Sequence, residues 1–215
     1  MVLAARINTT KRVTLHVLKR SMLCVLLLFG VQLGCMSGAS WSSSDYARAP
    51  DPRKHPYVIG VADVVEITVW KDENLSTEAP VRPDGTLTMP LVGDLTAVGK
   101  TTFQLRDEIV KKLSAYVKDS VVTVAVKEVN SYRFTVTGNA ERPGLFASRY
   151  FVTVSEAIAL AGGPNRYGST GDVVIVRAGP DGRPRRIPVN YEAIVSGEHP
   201  EQDIVILSGD NVHIP

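Results

Sequence analysis

Apolar and polar residues alternate over 64–70, where Val65, Ile67 and Val69 fall on one side and Glu66, Thr68 and Trp70 on the other. A period of two is that of a half-buried β-strand. Pro83-Asp84-Gly85 then supplies turn chemistry, because proline fixes φ, aspartate bonds locally and glycine accepts positive φ, and a hairpin is expected after it. The period next changes to that of a helix. Leu105, Ile109 and Leu113 recur along one helical face, behind Thr101 and Gln104 at capping-box spacing, with Glu108 and Lys112 as an i, i+4 pair. Val122, Val124 and Val126 alternate with Thr123, Ala125 and Lys127 and predict a returning strand.

Downstream, Phe134, Val136 and Gly138 mark a short strand, Pro143-Gly144 suits the centre of a type II turn, and 145–147 returns. Thr153 and Glu156 repeat the capping-box spacing, and the helix expected over 154–161 runs into Gly162-Gly163-Pro164, a helix stop. Further short strands are expected over 173–177, 186–189 and 211–214. One helix laid across a small mixed sheet is a β-grasp-like layout. The chain therefore reads as α+β. A first domain over 56–130 has a small mixed sheet plus a helix, and a β-grasp-like domain follows over 131–215.

The first 34 residues are different in kind. Arg6, Lys11, Arg12, Lys19 and Arg20 precede or enter the apolar run 22–31 with no acid among them, and small residues follow. This is the pattern of a secretory signal peptide over 1–34, since the run is shorter than the roughly 20 residues needed to cross a bilayer. Two exits are open. Cys35 after Leu33-Gly34 resembles a lipoprotein cleavage box, which would make it an acylated N-terminus, and ordinary cleavage after Ala39 is the alternative. Cys24 reads as a small hydrophobe within the run, so the mature chain is expected to form no internal disulfide. From 35 to 55 the sequence is rich in Ser, Pro and charge without an apolar period and predicts a disordered tether, about 25 Å in span as a flexible coil.

Charge changes the picture once the leader is set aside. It holds five of the 24 basic residues and none of the 22 acidic ones, so the chain from Cys35 onward carries a net charge of −3. That balance speaks against nucleic acid as a partner. The sequence also lacks G-x-S-x-G, H-E-x-x-H, the P-loop and G-x-G-x-x-G patterns, and no cofactor or metal site is expected. His55, His199 and His213 are scattered and read as solvated or locally bonded side chains.

Taken in order, several short motifs are similar to those of the outer-membrane polysaccharide export (OPX) family. Tyr57-Val58-Ile59-Gly60 with Asp63, then Ile67-Thr68-Val69-Trp70, resembles the opening of its export domain. Arg82, Pro83, Asp84, Gly85, Pro90 and Gly93 match its central signature. Arg142, Pro143, Gly144, Gly162, Gly163, Arg177, Gly209 and Asp210 resemble its soluble-ligand-binding β-grasp (SLBB) module. The resemblance implies a short, periplasmic OPX protein with one SLBB module and no outer-membrane helix of its own, anchored to the outer membrane by lipid on Cys35. It further implies a homo-oligomeric ring that passes polysaccharide outward, with an inner-membrane polysaccharide copolymerase and a separate outer-membrane β-barrel as partners and no enzymatic activity.

Two other classes compete with this reading: an SLBB module that binds a small soluble ligand or glycan, and a periplasmic glycan-processing enzyme. Asp84 and Asp94 could form a carboxylate pair for glycoside cleavage, although each borders glycine in a turn; Glu66 and Glu78 are no stronger. Trp70 and Tyr132 could stack on sugar rings or serve as core or oligomer contacts. Arg183, Arg185 and Arg186 could attract an acidic polymer or decorate a solvated hairpin tip.

Overall fold

A computed structural model describes residues 41–215. The leader expected over 1–34 and the expected lipid site Cys35 lie outside the described residues. The alternation at the start of the chain forms β1 (Val64–Val69), with Val65, Ile67 and Val69 buried and Glu66 and Thr68 exposed. β1 lies between β2 (Thr77–Pro80) and β5 (Val122–Glu128), antiparallel to both. A separate hairpin, β3 (Thr86–Met89) with β4 (Gly93–Thr96), follows the Pro83-Asp84-Gly85 turn.

The helix preceding β5, here called α2 (Thr102–Leu113), has the expected capping box, in which Thr101 and Gln104 bond each other's backbone N–H groups. Its stripe of Leu105, Ile109 and Leu113 is wholly buried. The three side chains join Ile59, Val65, Ile67, Leu87, Met89 and Leu95 in one core. Each such burial contributes about 2 kcal/mol, which makes this face the main reason that the helix forms where it does.

A second core lies under a five-stranded sheet. Its order is β7-β6-β10-β8-β9, with β6 (Arg133–Gly138), β7 (Gly144–Ala147), β8 (Val173–Ala178), β9 (Pro184–Val189) and β10 (Asn211–Ile214). Only the β6–β10 pair is parallel. The last strand thus enters the middle of the sheet, and it does so only after everything between has crossed over. Helix α3 (Val154–Leu160) carries the second capping box, from Thr153 and Glu156, and buries Val154, Ala157 and Ile158 in this core. The fold is α+β, as the periodicities imply.

Two differences from the sequence reading stand out. Helix α4 (Tyr191–Ser196) was not anticipated: Asn190 caps its start by accepting from Ala193 N–H at 3.0 Å, and Gly197 ends it at φ 79°. Six residues are too few to display a helical period, although the cap and the glycine are its signals. The second difference is the tether. From Trp41 onward it is ordered, with α1 (Ser43–Ala47) capped by Ser42 and a 3-10 turn at Pro52–Lys54 capped by Asp51. Tyr46 is buried in the second core, its hydroxyl donates to the Pro188 carbonyl, and Trp41 packs on it at a ring separation of 5.4 Å. Two aromatic rings in a polar stretch are enough to fasten it, because each buries a large apolar area.

Candidate functional site

The signature residues form three clusters, and each has a structural role. In the first, Arg82 Nη2 lies 3.2 Å from carboxylate oxygens of both Asp84 and Asp94 and donates to Thr86 Oγ1 at 2.5 Å. Thr86 and Thr88 in turn donate their hydroxyls to Asp84 and Asp94 at 2.7 and 2.6 Å. Asp84 also accepts from Thr86 N–H, which fixes the turn into β3. Pro90 and Gly93 bound the loop of the β3–β4 hairpin, where Leu91 and Gly93 both take positive φ.

Electrostatics runs against the glycosidase candidate. The hydroxyl of Thr86 holds the Asp84 carboxyl below the usual carboxylate range, and the Thr88 hydroxyl and Arg82 guanidinium do the same for Asp94. A glycosidase needs one carboxyl with a raised pKa to act as the acid. Here both are lowered instead, by the threonine hydroxyls first and by the shared Arg82 guanidinium second.

The second cluster joins the β6–β7 turn to the end of α3. Arg142 donates its backbone N–H to the Ala161 carbonyl at 2.8 Å and its guanidinium to the Leu160 carbonyl at 3.2 Å. These are orphan carbonyls of a helix C-terminus. Glu141 N–H reaches the Gly163 carbonyl at 2.9 Å. Gly162 has φ +84°, and a Cβ there would stand 3.2 Å from that of Glu141, so the crossing requires glycine. Pro143 and Gly144 carry the chain from this crossing into β7.

The third is a buried ion pair. Asp210, which follows Gly209 at φ +86°, accepts from Arg177 Nη2 at 2.6 Å and Nε at 3.0 Å, and from Leu207 N–H at 2.7 Å. Arg177 spends a further N–H on the Val205 carbonyl. The pair ties β8 to the loop leading into β10, and no buried polar atom in it lacks a partner.

The most connected residue is one that the sequence marked only as part of the motif opening the export domain. Asp63 is fully buried and accepts five hydrogen bonds: from Gly60 N–H, the Tyr57 hydroxyl, and the backbone N–H of Asn130 and of Ser131 at 2.6–2.8 Å, and from Ser131 Oγ at 3.1 Å. Burial, with the Asp63 carboxylate beside it, raises the Tyr57 phenol well above its ordinary value. Gly60 is needed here by close approach, since a Cβ would come within 2.3 Å of Ser131 Cβ. An aspartate between apolar residues at a strand entrance was the available signal.

The remaining candidates disperse. Tyr132 is a core residue that donates to the Ile206 carbonyl, the core alternative rather than the sugar platform, whereas Trp70 is 68% exposed. Arg183, Arg185 and Arg186 lie exposed on the tip and outer strand of the β8–β9 hairpin. His199 bonds Glu201 and His213 bonds Thr137, each at 3.1 Å. Among the described residues no cluster of His, Cys, Asp or Glu could hold a metal ion. The arrangement around Arg82 is a network of paired, exposed polar side chains.

Comparison with known proteins supplies the family. A family model described as polysaccharide biosynthesis/export protein matches residues 51–127, and an SLBB domain model matches 133–188. The chain belongs to the polysaccharide export family and carries an SLBB module. It is 30% identical over 183 residues to the EPS I polysaccharide export outer membrane protein EpsA of Ralstonia nicotianae, covering 74% of this chain and 47% of that one. It is also 30% identical over 146 residues to the exopolysaccharide production protein ExoF of Rhizobium meliloti, covering 63% and 34%. To the capsule polysaccharide export protein BexD of Haemophilus influenzae it is 28% identical over 177 residues, covering 73% and 43%. The chain spans less than half the length of each of these relatives.

Proposed function

We propose that this chain is a component of the apparatus that exports capsular polysaccharide or exopolysaccharide through the cell envelope. The observation that carries the reading is the ordered match of the export model and the SLBB model along one chain, together with relatives named for polysaccharide export. In the finer form of the reading it stands in the periplasm as a homo-oligomeric ring, held to the outer membrane by lipid on Cys35. An inner-membrane copolymerase feeds the ring, and an outer-membrane β-barrel continues the route. No helix among the described residues is long and apolar enough to cross a membrane.

Export of a long polar polymer asks for hydrated walls with weak, dispersed contacts, and the ionised, mutually paired side chains around Arg82 suit that task better than bond cleavage. Photo-crosslinking in polymer-producing cells should capture polymer in transit on the full chain, and the purified protein should leave polymer length unchanged. Shortening of the polymer by the purified chain would put an enzyme in place of a conduit.

A further inference from the structure

One face of the five-stranded sheet carries the second core, with Val136, Val212, Ile175 and Ile187 buried beneath α3. Side chains alternate along a strand, so the residues between these point away from the core. The register lines them up across the sheet. Leu145, Thr135, Asn211, Val176 and Arg186 form one row, with one residue from each strand in spatial order. Thr137 and His213 stand side by side in the next row, and Arg133 lies one outward position before Thr135 on β6. None of these side chains is buried.

The centre of this outer face is polar and keeps hydrogen-bonding groups in hand. Thr137 Oγ1 donates to Asn211 Oδ1 at 2.9 Å, so His213 Nδ1, at 3.1 Å, is the donor to that hydroxyl and Nε2 of the neutral ring is left as an acceptor. Among the described residues the Asn211 amide nitrogen, His213 Nε2 and the Thr135 hydroxyl have no partner, and none is a buried orphan. Water reaches all three. The charge is one-sided as well. The five strands hold no aspartate or glutamate, and among the described residues no carboxylate pairs with Arg133 or Arg186. These two arginines stand three strand spacings apart, about 14 Å across the sheet.

We propose that this open sheet face binds an acidic polysaccharide, one whose sugars carry carboxylates, laid across the strands between Arg133 and Arg186. Charge complementarity selects the occupant. The chain from Cys35 onward carries a net charge of −3 and as a whole repels a polyanion, yet this face offers only positive charge, and a guanidinium pairs well with a carboxylate. Between the two arginines lie a donor, an acceptor and a hydroxyl, which suit sugar hydroxyls that both give and take hydrogen bonds. Val174 and Val176 add apolar surface for the ring faces. Two exposed arginines make weak, salt-sensitive contacts, which a polymer in transit can leave again. The inference rests on the export reading, for which it names the class of polymer.

Fluorescence anisotropy of a labelled oligouronate, titrated with the full chain purified from membranes in detergent, tests it, with a dextran oligomer of equal length as the neutral probe. Oligouronate should bind, more weakly as salt rises, and dextran should bind about tenfold more weakly or worse. Arg133→Gln and Arg186→Gln should each weaken oligouronate binding about threefold. Arg185→Gln should not, although it removes the same charge one residue away, because Arg185 stands opposite the inward Arg177 and so points to the other face. All three positions are exposed, so the variants should melt with the wild type. The inference is overturned by absent oligouronate binding, by dextran binding equally well, or by a loss in Arg185→Gln that matches Arg186→Gln. Capture of phosphatidylglycerol vesicles without any oligouronate binding would make the face a lipid contact and overturn it too. None of these results bears on surface polymer in a deletion strain, which tests the export reading separately.

Discussion

The carboxylate of Asp63 accepts both the backbone N–H and the hydroxyl of Ser131, a residue 68 positions later in the chain. It thereby pins the entrance of β1 to the segment that leaves β5 and enters β6, so the layout of the first core fixes where the second begins. Asp63→Ala would strand buried donors from Gly60, Asn130 and Ser131 and leave the Tyr57 hydroxyl with Ser131 Oγ as its remaining partner. The expected cost is about 3 kcal/mol or more, read as a lower midpoint in urea. A change below about 1 kcal/mol would mean that water replaces the carboxylate.

Tyr46 should behave as a core residue although it lies in a polar segment. Tyr46→Ala should cost about 3 kcal/mol, and Tyr46→Phe about 1 kcal/mol through loss of the bond to Pro188. Hydrogen exchange should quicken at Asp45, Arg48 and Ala49, whose N–H groups are bonded within this segment. Fast exchange there in the wild type would return the segment to the status of a free tether.

The Arg177–Asp210 pair should be costly to halve and cheap to replace. Asp210→Ala leaves a buried guanidinium without its carboxylate and should destabilise by about 3–5 kcal/mol, whereas joint replacement of both residues by apolar ones of similar size should recover much of the loss. Additive effects of the two single changes would contradict a coupled pair.

Acid should weaken the fold through its carboxylates. The bond from Lys100 holds Glu108 below its usual 4.5, and Asp84 and Asp94 are lowered likewise. A group with a lower pKa in the folded state stabilises fully above its unfolded value and loses that contribution as pH falls through the folded one. The melting temperature should therefore be level from pH 7 to about pH 5 and fall below that, and Glu108→Gln should flatten part of the fall. An unchanged acid slope in that variant would remove Glu108 from the account.

How much of this was legible depended on the range of the interaction. The β1 alternation, both capping boxes and the Leu105–Ile109–Leu113 stripe are local patterns, and the structure follows them. Tyr46 on Pro188 and Ser131 on Asp63 are pairings across long separations, for which no periodicity exists to be read. The signature motifs were visible, but their meaning was not: Arg142 and Gly162 stand apart in the chain and meet only where a helix end crosses a turn. Cys35 remains a proposal from its sequence context alone.

The central claim is that this chain serves polymer export, and the most direct measurement is labelled polysaccharide followed in a strain deleted for it. Polymer should be made but fail to reach the cell surface, and the full chain supplied in trans should restore it. Undiminished surface polymer in the deletion strain would contradict the account.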